Sequence, residues 1–408
     1  MSTSSANLRF LHDKAFEALA ARYKCQFDVL RPNLCIDTGL PQKIDISMYM
    51  IRLSKCNHGT TKKMFLIHGL NSGPLHFENI IPYLLEEGFT IFLPSLPGFG
   101  MTESSCIIQH LSKQQVLVFY EAFTWQMFHH FSPHEKPMVV AHSLGAFLMA
   151  HFYSNHPERI EKLVFVDGIG LLPTLSTTGK YWSFLFKAGI PNRLARPLGR
   201  AWNACLFSLV ATGSNDRYAH LWRIAQMTCE TNIADIICSK FISFAFFDSR
   251  WNEPIFTKLL HRNVNIVLVW GAKDSIIPCH AAKLLQDLSA CTESIPFPLY
   301  IIRDGNHSPI QTNDGKDFVA ILKHIVRPAR KVAEPNTEGN HSFLDPLHAL
   351  IRSSEGACFC VSHTKKHIVH FYGQILQLAT GHRKLPYHVV DKKFAVTESN
   401  HTASYVDM

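Results

Sequence analysis

The chain has 408 residues, 47% hydrophobic and 18% charged, which excludes a disordered protein and allows two or three domains or one large domain with an insertion. A formal charge of +8 is a mild excess, and with no zinc-finger spacing, Arg-Gly tract or basic-aromatic strand motif beside it, nucleic acid is not an expected partner. The 11 cysteines follow no regular spacing, which argues for free thiols in a reducing compartment, and no apolar run reaches the ~18 residues of a membrane span.

The opening "MSTSSANLRFLHDKAFEALAARYK" lacks the apolar stretch of a secretory signal, and Asp13 and Glu17 argue against a transit segment. Residues 1–45 read as a helical lead-in followed by an irregular stretch. Short apolar runs then recur: "KMFLIHG" (63–69), "FTIFLPSLPG" (89–98), "MVVAHS" (138–143), "KLVFVDG" (162–168), "NIVLVWG" (265–271) and "LYIIRDGNH" (299–307). Each is apolar on both faces, as strands of a covered parallel sheet are. Helix-like segments separate most of them, for example 74–87, 112–130 and 143–156. Alternating strands and helices predict an α/β fold with a doubly wound, mostly parallel sheet. The long gap before "NIVLVWG" has no convincing strand and reads as a helical cap. "RPARKVAEPNTEGN" reads as a linker into a C-terminal extension. The expected domains are therefore a lead-in (1–45), a core (46–170 and 261–327), a cap (171–260), and a linker with extension (328–408).

"MVVAHSLGAF" places Ser143 where a strand gives way to a helix. A sharp turn there lifts the hydroxyl above the sheet and demands small neighbours two before and two after, here Ala141 and Gly145. The first N–H groups of the helix can receive an oxyanion. A serine in such a pattern is by itself more often a helix cap. The partners carry the argument, because a nucleophilic serine needs a base and the base an orienting acid. Asp274 follows "NIVLVWGAK" and His307 follows "LYIIR", both at the same end of the sheet as Ser143. In "LIHGLNSG", the N–H of Leu70 joins that of Leu144 as the expected oxyanion hole. His68 is expected to hold the loop, and His142 to pack.

These motifs, with "SLPGFGMT", "VWGAKDSIIP" and "DGNHSP", resemble in order and spacing the α/β-hydrolase fold superfamily, specifically esterase- or lipase-like serine hydrolases with a helical cap, over roughly residues 45–327. The resemblance implies a catalytic triad of Ser143, Asp274 and His307 and no cofactor. Ala141 replaces the usual first glycine of the elbow. Ser95 and Thr102 replace the aspartate and serine often found in a loop that is structural in the family. In some relatives the acid follows an earlier strand, at the place of Asp167. Asp167 lies in the structural "VDG", so Asp274 is preferred.

Residues 168–215 carry no acidic residue but interleave Lys180, Lys187, Arg193, Arg196 and Arg200 with Tyr181, Trp182, Phe184, Phe186 and Trp202. Such a lid suits a lipid–water interface or an acyl chain with an anionic head. Aromatics packed onto the sheet with charges in water explain the pattern slightly more plainly. In the extension, Cys358, Cys360, His363 and His367 are zinc-binding types, but C-x-C is tight for a tetrahedral site. A helix capped by Ser362, with Ile368, Phe371, Tyr372, Ile375 and Leu378 on one face, is the expectation, and no metal. The last residues read as frayed.

The expected activity is hydrolysis of carboxylic esters, with lipid-like or hydrophobic acyl substrates, through an acyl-enzyme. A non-catalytic receptor or scaffold on the same fold is the alternative from another class. Carbon–carbon or amide hydrolysis would use the same residues. The expected location is cytoplasmic, with peripheral membrane contact through the cap as a further option.

Overall fold

A computed structural model describes residues 3–39, 43–55, 62–70, 72–99, 101–102, 110–170, 249–262, 264–291, 297–326 and 404–406. The expected cap up to residue 248, the linker, the Cys358–His367 cluster and the helix expected after Ser362 lie outside the described residues.

Each apolar run forms a strand: β5 (Lys63–Ile67), β6 (Thr90–Pro94), β7 (Met138–His142), β8 (Lys162–Val166), β9 (Ile266–Gly271) and β10 (Leu299–Ile302). They run parallel in one sheet, and residues 404–406, expected to fray, pair in parallel with β10 as β11 (Ser404–Val406). Successive side chains on a strand point to opposite faces. Phe65, Val139, Leu163, Leu268 and Ile301 accordingly enter one buried cluster, while Met64, Val140, Val164, Val267 and Ile302 enter the other. Two buried faces explain why these strands carry almost no polar residues.

The stretch after the first helix, expected to be irregular, is mostly extended. β1 (Gln26–Leu30) and β4 (Met50–Ser54) form the antiparallel edge, giving the order β1-β4-β6-β5-β7-β8-β9-β10-β11. β2 (Asn33–Ile36) and β3 (Ile44–Ser47) form a separate antiparallel ribbon. Leu34, Ile36, Ile44 and Ile46 are its buried face.

Helices cover both sides. α1 (Thr3–Tyr23), α2 (Ile81–Glu86) and α7 (Lys316–Val326) contribute Phe16, Leu84 and Phe318 to one cluster. α3 (Lys113–Phe131), α4 (Leu144–Asn155), α5 (Ser249–His261) and α6 (His280–Cys291) contribute Phe123, Phe147, Phe256 and Leu285 to the other. The lead-in helix is docked: His12 is buried with Nδ1 2.9 Å from the Tyr49 hydroxyl, which itself donates to Asp13. Ser112 starts α3 with a capping box, accepting from the Gln115 N–H while its own N–H donates to the Gln115 side chain at 2.8 Å. Among the described residues, no helix is long and apolar enough to cross a membrane.

Strand order reverses at β5, whose successor β6 lies on one side and β7 on the other. Such a switch point opens a crevice beyond the carboxyl ends of the strands, and Gly69 and Ser143 lie at its two lips. Phe152 on α4, wholly buried against the Phe128 ring 5.4 Å away, helps fix that helix to α3. Phe152→Ala is expected to lower unfolding free energy by about 3–5 kcal/mol in a urea titration. A loss below about 1 kcal/mol would contradict this packing.

Candidate active site

Ser143 joins β7 to α4 with φ 53° and ψ −115°, a conformation that non-glycine residues avoid. The surroundings hold it there. Its N–H donates to the Val166 carbonyl at 2.9 Å, and its carbonyl accepts from Phe147 at 3.3 Å and Ile169 at 3.4 Å. Gly145 lets the new helix lie against β5, since a Cβ there would sit 2.5 Å from the His68 carbonyl oxygen and 2.7 Å from that of Ile67. Ala141 is fully buried in the core, so the elbow accommodates its methyl.

The three residues expected to cooperate do meet. His307 Nδ1 is 2.8 Å from Asp274 Oδ2 and its Nε2 is 3.0 Å from Ser143 Oγ. Asp274 has a wholly buried side chain, while that of His307 is 18% exposed, leaving an approach from solvent. A carboxylate can only accept, so Nδ1 carries the proton and Nε2 accepts from the serine hydroxyl. Asp274 is fixed by the loop that bears it: Oδ1 accepts from the N–H of Ile276 at 2.7 Å and Ile277 at 2.8 Å. The loops bearing acid and base are laced together, with the Lys273 N–H on the Gly305 carbonyl at 2.8 Å. Gly271 permits this, because a Cβ there would lie 2.2 Å from the Asn306 carbonyl oxygen.

Two buried histidines support the constellation. His68 donates from Nδ1 to the Gly69 carbonyl at 2.8 Å and accepts the Leu96 N–H on Nε2 at 2.9 Å. It thereby ties the loop after β5 to the loop after β6, and burial pushes its pKa down to about 4. His142 does more than pack. Its Nε2 donates to the His307 carbonyl at 2.6 Å, holding the main chain of the candidate base. The His76 ring stacks on it at 4.5 Å. Burial first, then the neighbouring rings of His76 and His307, keep His142 well below the usual imidazole range. The position before a serine at an elbow gives no sequence signal of this contact with a distant loop.

Gly69 abuts Ser143, for a Cβ on it would lie 2.9 Å from the serine Cβ. Leu70 follows directly, partly buried against the core, and Leu144 opens α4, so its N–H has no intrahelical acceptor. Ser95 and Thr102 staple the loop after β6: Ser95 Oγ accepts the Met101 N–H at 3.1 Å, and Thr102 Oγ1 accepts the Tyr49 N–H at 2.9 Å.

Of the other acids, Asp304 is exposed and paired with Lys273, away from the imidazole. Asp167 is wholly buried with φ 41°, its Oδ1 accepting the Gly271 N–H at 2.9 Å. One ligand-type atom each of His142, Asp167 and His307 lies within 4.8 Å of the others. His307 commits both ring nitrogens to Ser143 and Asp274, so this cluster reads as part of the hydrogen-bonded network.

A family model described as alpha/beta hydrolase fold matches residues 63–314, more than half of the chain. Among curated proteins, "Putative methylesterase 13, chloroplastic" of Arabidopsis thaliana is 29% identical over 129 residues, covering 31% of this chain and 27% of that protein. A serine hydrolase-like protein of Dictyostelium discoideum is 27% identical over 117 residues, 28% of this chain and 30% of that one. The matched region thus spans less than a third of either relative's length. Among solved structures, an esterase from Exiguobacterium antarcticum has a TM-score of 0.54 at 13% identity, covering 73% of this chain and 100% of that one. A bacterial membrane phospholipase A has a TM-score of 0.54 at 14% identity, over 79% of this chain and 93% of that one. At such identities the likeness is one of fold.

The buried histidines set an acid limit on the fold. His12, His68 and His142 are all neutral by burial, and His68 falls from 6.5 to about 4. The unfolded chain then binds more protons below pH 6.5, so stability is fully present above that pH and is lost as pH falls toward 4. For His68 alone the loss is roughly 3 kcal/mol. The urea midpoint is expected to drop across this window; a midpoint unchanged between about pH 7 and 4.5 would contradict these neutral assignments.

Proposed function

The chain belongs to the α/β-hydrolase fold family, and from that premise we propose that it is a cofactor-independent serine hydrolase cleaving carboxylic esters through an acyl-enzyme. The observation that carries the reading is one imidazole with Nε2 3.0 Å from Ser143 Oγ and Nδ1 2.8 Å from the buried Asp274 carboxylate. In this reading Ser143 Oγ forms a bond to the acyl carbon while His307 Nε2 takes its proton. The carbonyl electron pair moves onto oxygen, facing the N–H groups of Leu70 and Leu144. The start of α4 places its positive dipole end there. Collapse breaks the ester C–O bond, and His307 returns the proton to the leaving alkoxide. Water then repeats the sequence on the acyl-enzyme: His307 takes its proton, and Ser143 leaves with that proton as the free acid forms. Asp274 holds the Nδ1–H tautomer throughout and balances the imidazolium.

Two features favour this role over packing alone. The strained φ at Ser143 is maintained by specific contacts, and strain of this kind gathers at functional sites. The His307 side chain is also reachable from solvent at the mouth of the sheet's switch point. As to substrate, the apolar abundance of the sequence from 168 to 215 favours a hydrophobic acyl chain over a sugar.

A fluorophosphonate probe is expected to label Ser143 in the wild type and to leave folded Ser143→Ala unlabelled, with esterase turnover reduced by about 10³-fold or more. A folded wild type that takes no label would instead favour a non-catalytic receptor. With p-nitrophenyl esters of rising chain length, kcat/KM is expected to climb beyond acetyl. Equal or better turnover of acetyl would contradict the hydrophobic-acyl assignment.

A further inference from the structure

Asp274 is well supplied with donors, and a second buried acid beside it is short of them. Asp167 follows β8, the strand between β7, which leads to Ser143, and β9, which leads to Asp274. One of its oxygens accepts the Gly271 N–H at 2.9 Å, and among the described residues no donor reaches the other, Oδ2. Asp274 receives three donors: the N–H groups of Ile276 and Ile277 on Oδ1, and His307 Nδ1–H on Oδ2. Gly271 joins the two acids, its N–H on Asp167 and its carbonyl accepting the Asp274 N–H at 3.2 Å, which sets the Asp274 carboxyl beside that of Asp167.

Two buried carboxyls in contact do not both ionise, and the one holding more donors keeps the charge. As an anion, Asp167 would bury an oxygen with no partner, a costly arrangement. As an acid, its Oδ2–H becomes a donor, and the Asp274 carboxylate is the charged acceptor beside it. We propose that Asp167 is held as a carboxylic acid donating a hydrogen bond to Asp274, and that it is a positioning residue for the Ser143–His307–Asp274 relay. The kinetic consequence rests on the serine-hydrolase reading above; the location of the proton does not.

The groups around Asp167 agree with this state. Burial first, then the Asp274 carboxyl, push it well above the usual carboxylate range. His142 faces it from β7 and is neutral, with its one N–H committed to the His307 carbonyl. His307 faces it from the loop after β10 and spends its Nδ1–H on Asp274. Lys273, on the loop after β9, turns outward to pair with Asp304. No cation among the described residues is therefore placed to hold Asp167 as an anion. The shared proton draws charge away from Asp274, and so limits how strongly that carboxylate favours the imidazolium of His307. It also adds a fourth donor to Asp274 and fixes the plane of the carboxylate toward the ring.

The test compares wild type, Asp167→Asn and Asp167→Leu. Asparagine keeps an N–H donor toward Asp274 and a carbonyl for Gly271; leucine keeps the volume and removes both. With p-nitrophenyl butyrate, Asp167→Asn is expected to retain kcat/KM within about threefold, with the acid limb of its pH profile unmoved. Asp167→Leu is expected to lose at least about tenfold, with that limb shifted to higher pH by about half a unit or more. The direction follows because Asp274, freed of its donor, binds the imidazolium more tightly. A leucine variant with the wild-type limb, or an asparagine variant with a moved one, would overturn the positioning role. An infrared difference spectrum of wild type minus Asp167→Asn at neutral pH needs no substrate and no leucine variant. It is expected to show a protonated carboxyl C=O band, and its absence would overturn the proposal. If the band is present while Ser143 takes no fluorophosphonate, the shared proton stands and the hydrolase reading fails.

Discussion

One hydrogen bond, His307 Nε2 to Ser143 Oγ at 3.0 Å, joins residues 164 positions apart and gives the rest of the architecture its meaning. A single hydrogen bond contributes only about 1 kcal/mol net, far too little to bring two such distant segments together. The sheet does that work. β7, β8, β9 and β10 lie side by side in parallel, so their carboxyl ends form one edge, and each loop along it delivers one side chain. Burial of both faces supplies the energy; the hydrogen bond reads out the resulting register. What remains local is fine adjustment: Gly145 lets the elbow seat on β5, Gly271 lets two loops touch, and His142 ties down the backbone of His307.

The electrostatics of that edge follow from its dryness. His68 and His142 are imidazoles that burial keeps neutral, and each is used as a fixed donor to a carbonyl rather than as a titrating base. His307 differs in being partly reachable by solvent and in facing a carboxylate. Of two histidines in ring contact, one holds main chain and the other faces a serine hydroxyl and a carboxylate. The same reasoning separates the acids. Asp274 is surrounded by donors, while Asp167, one strand away, is not.

Much of this was legible in the amino-acid sequence, for stated reasons. The six central strands are continuous apolar runs because both their faces are covered, and Ser143, Asp274 and His307 lie on the turn or loop after three of them. The antiparallel edge and the ribbon were not legible. β1 to β4 are four or five residues long, and β2 and β3 expose alternate positions, so no long apolar run marks them. β11 is three residues, and its place depends entirely on a partner far back in the chain. The roles of His142 and Asp167 were hidden for a similar reason. Each depends on a contact across the sheet edge, His142 with the His307 carbonyl and Asp167 with the Gly271 N–H, and no local pattern announces it.

Covalent chemistry at the Ser143 hydroxyl is the centre of the proposed mechanism, and it is directly observable. Protein quenched during turnover of a p-nitrophenyl ester, digested and mapped by mass spectrometry, should carry the acyl mass on the peptide containing Ser143. Turnover that continues with the acyl group on no peptide, or on a different one, would contradict it.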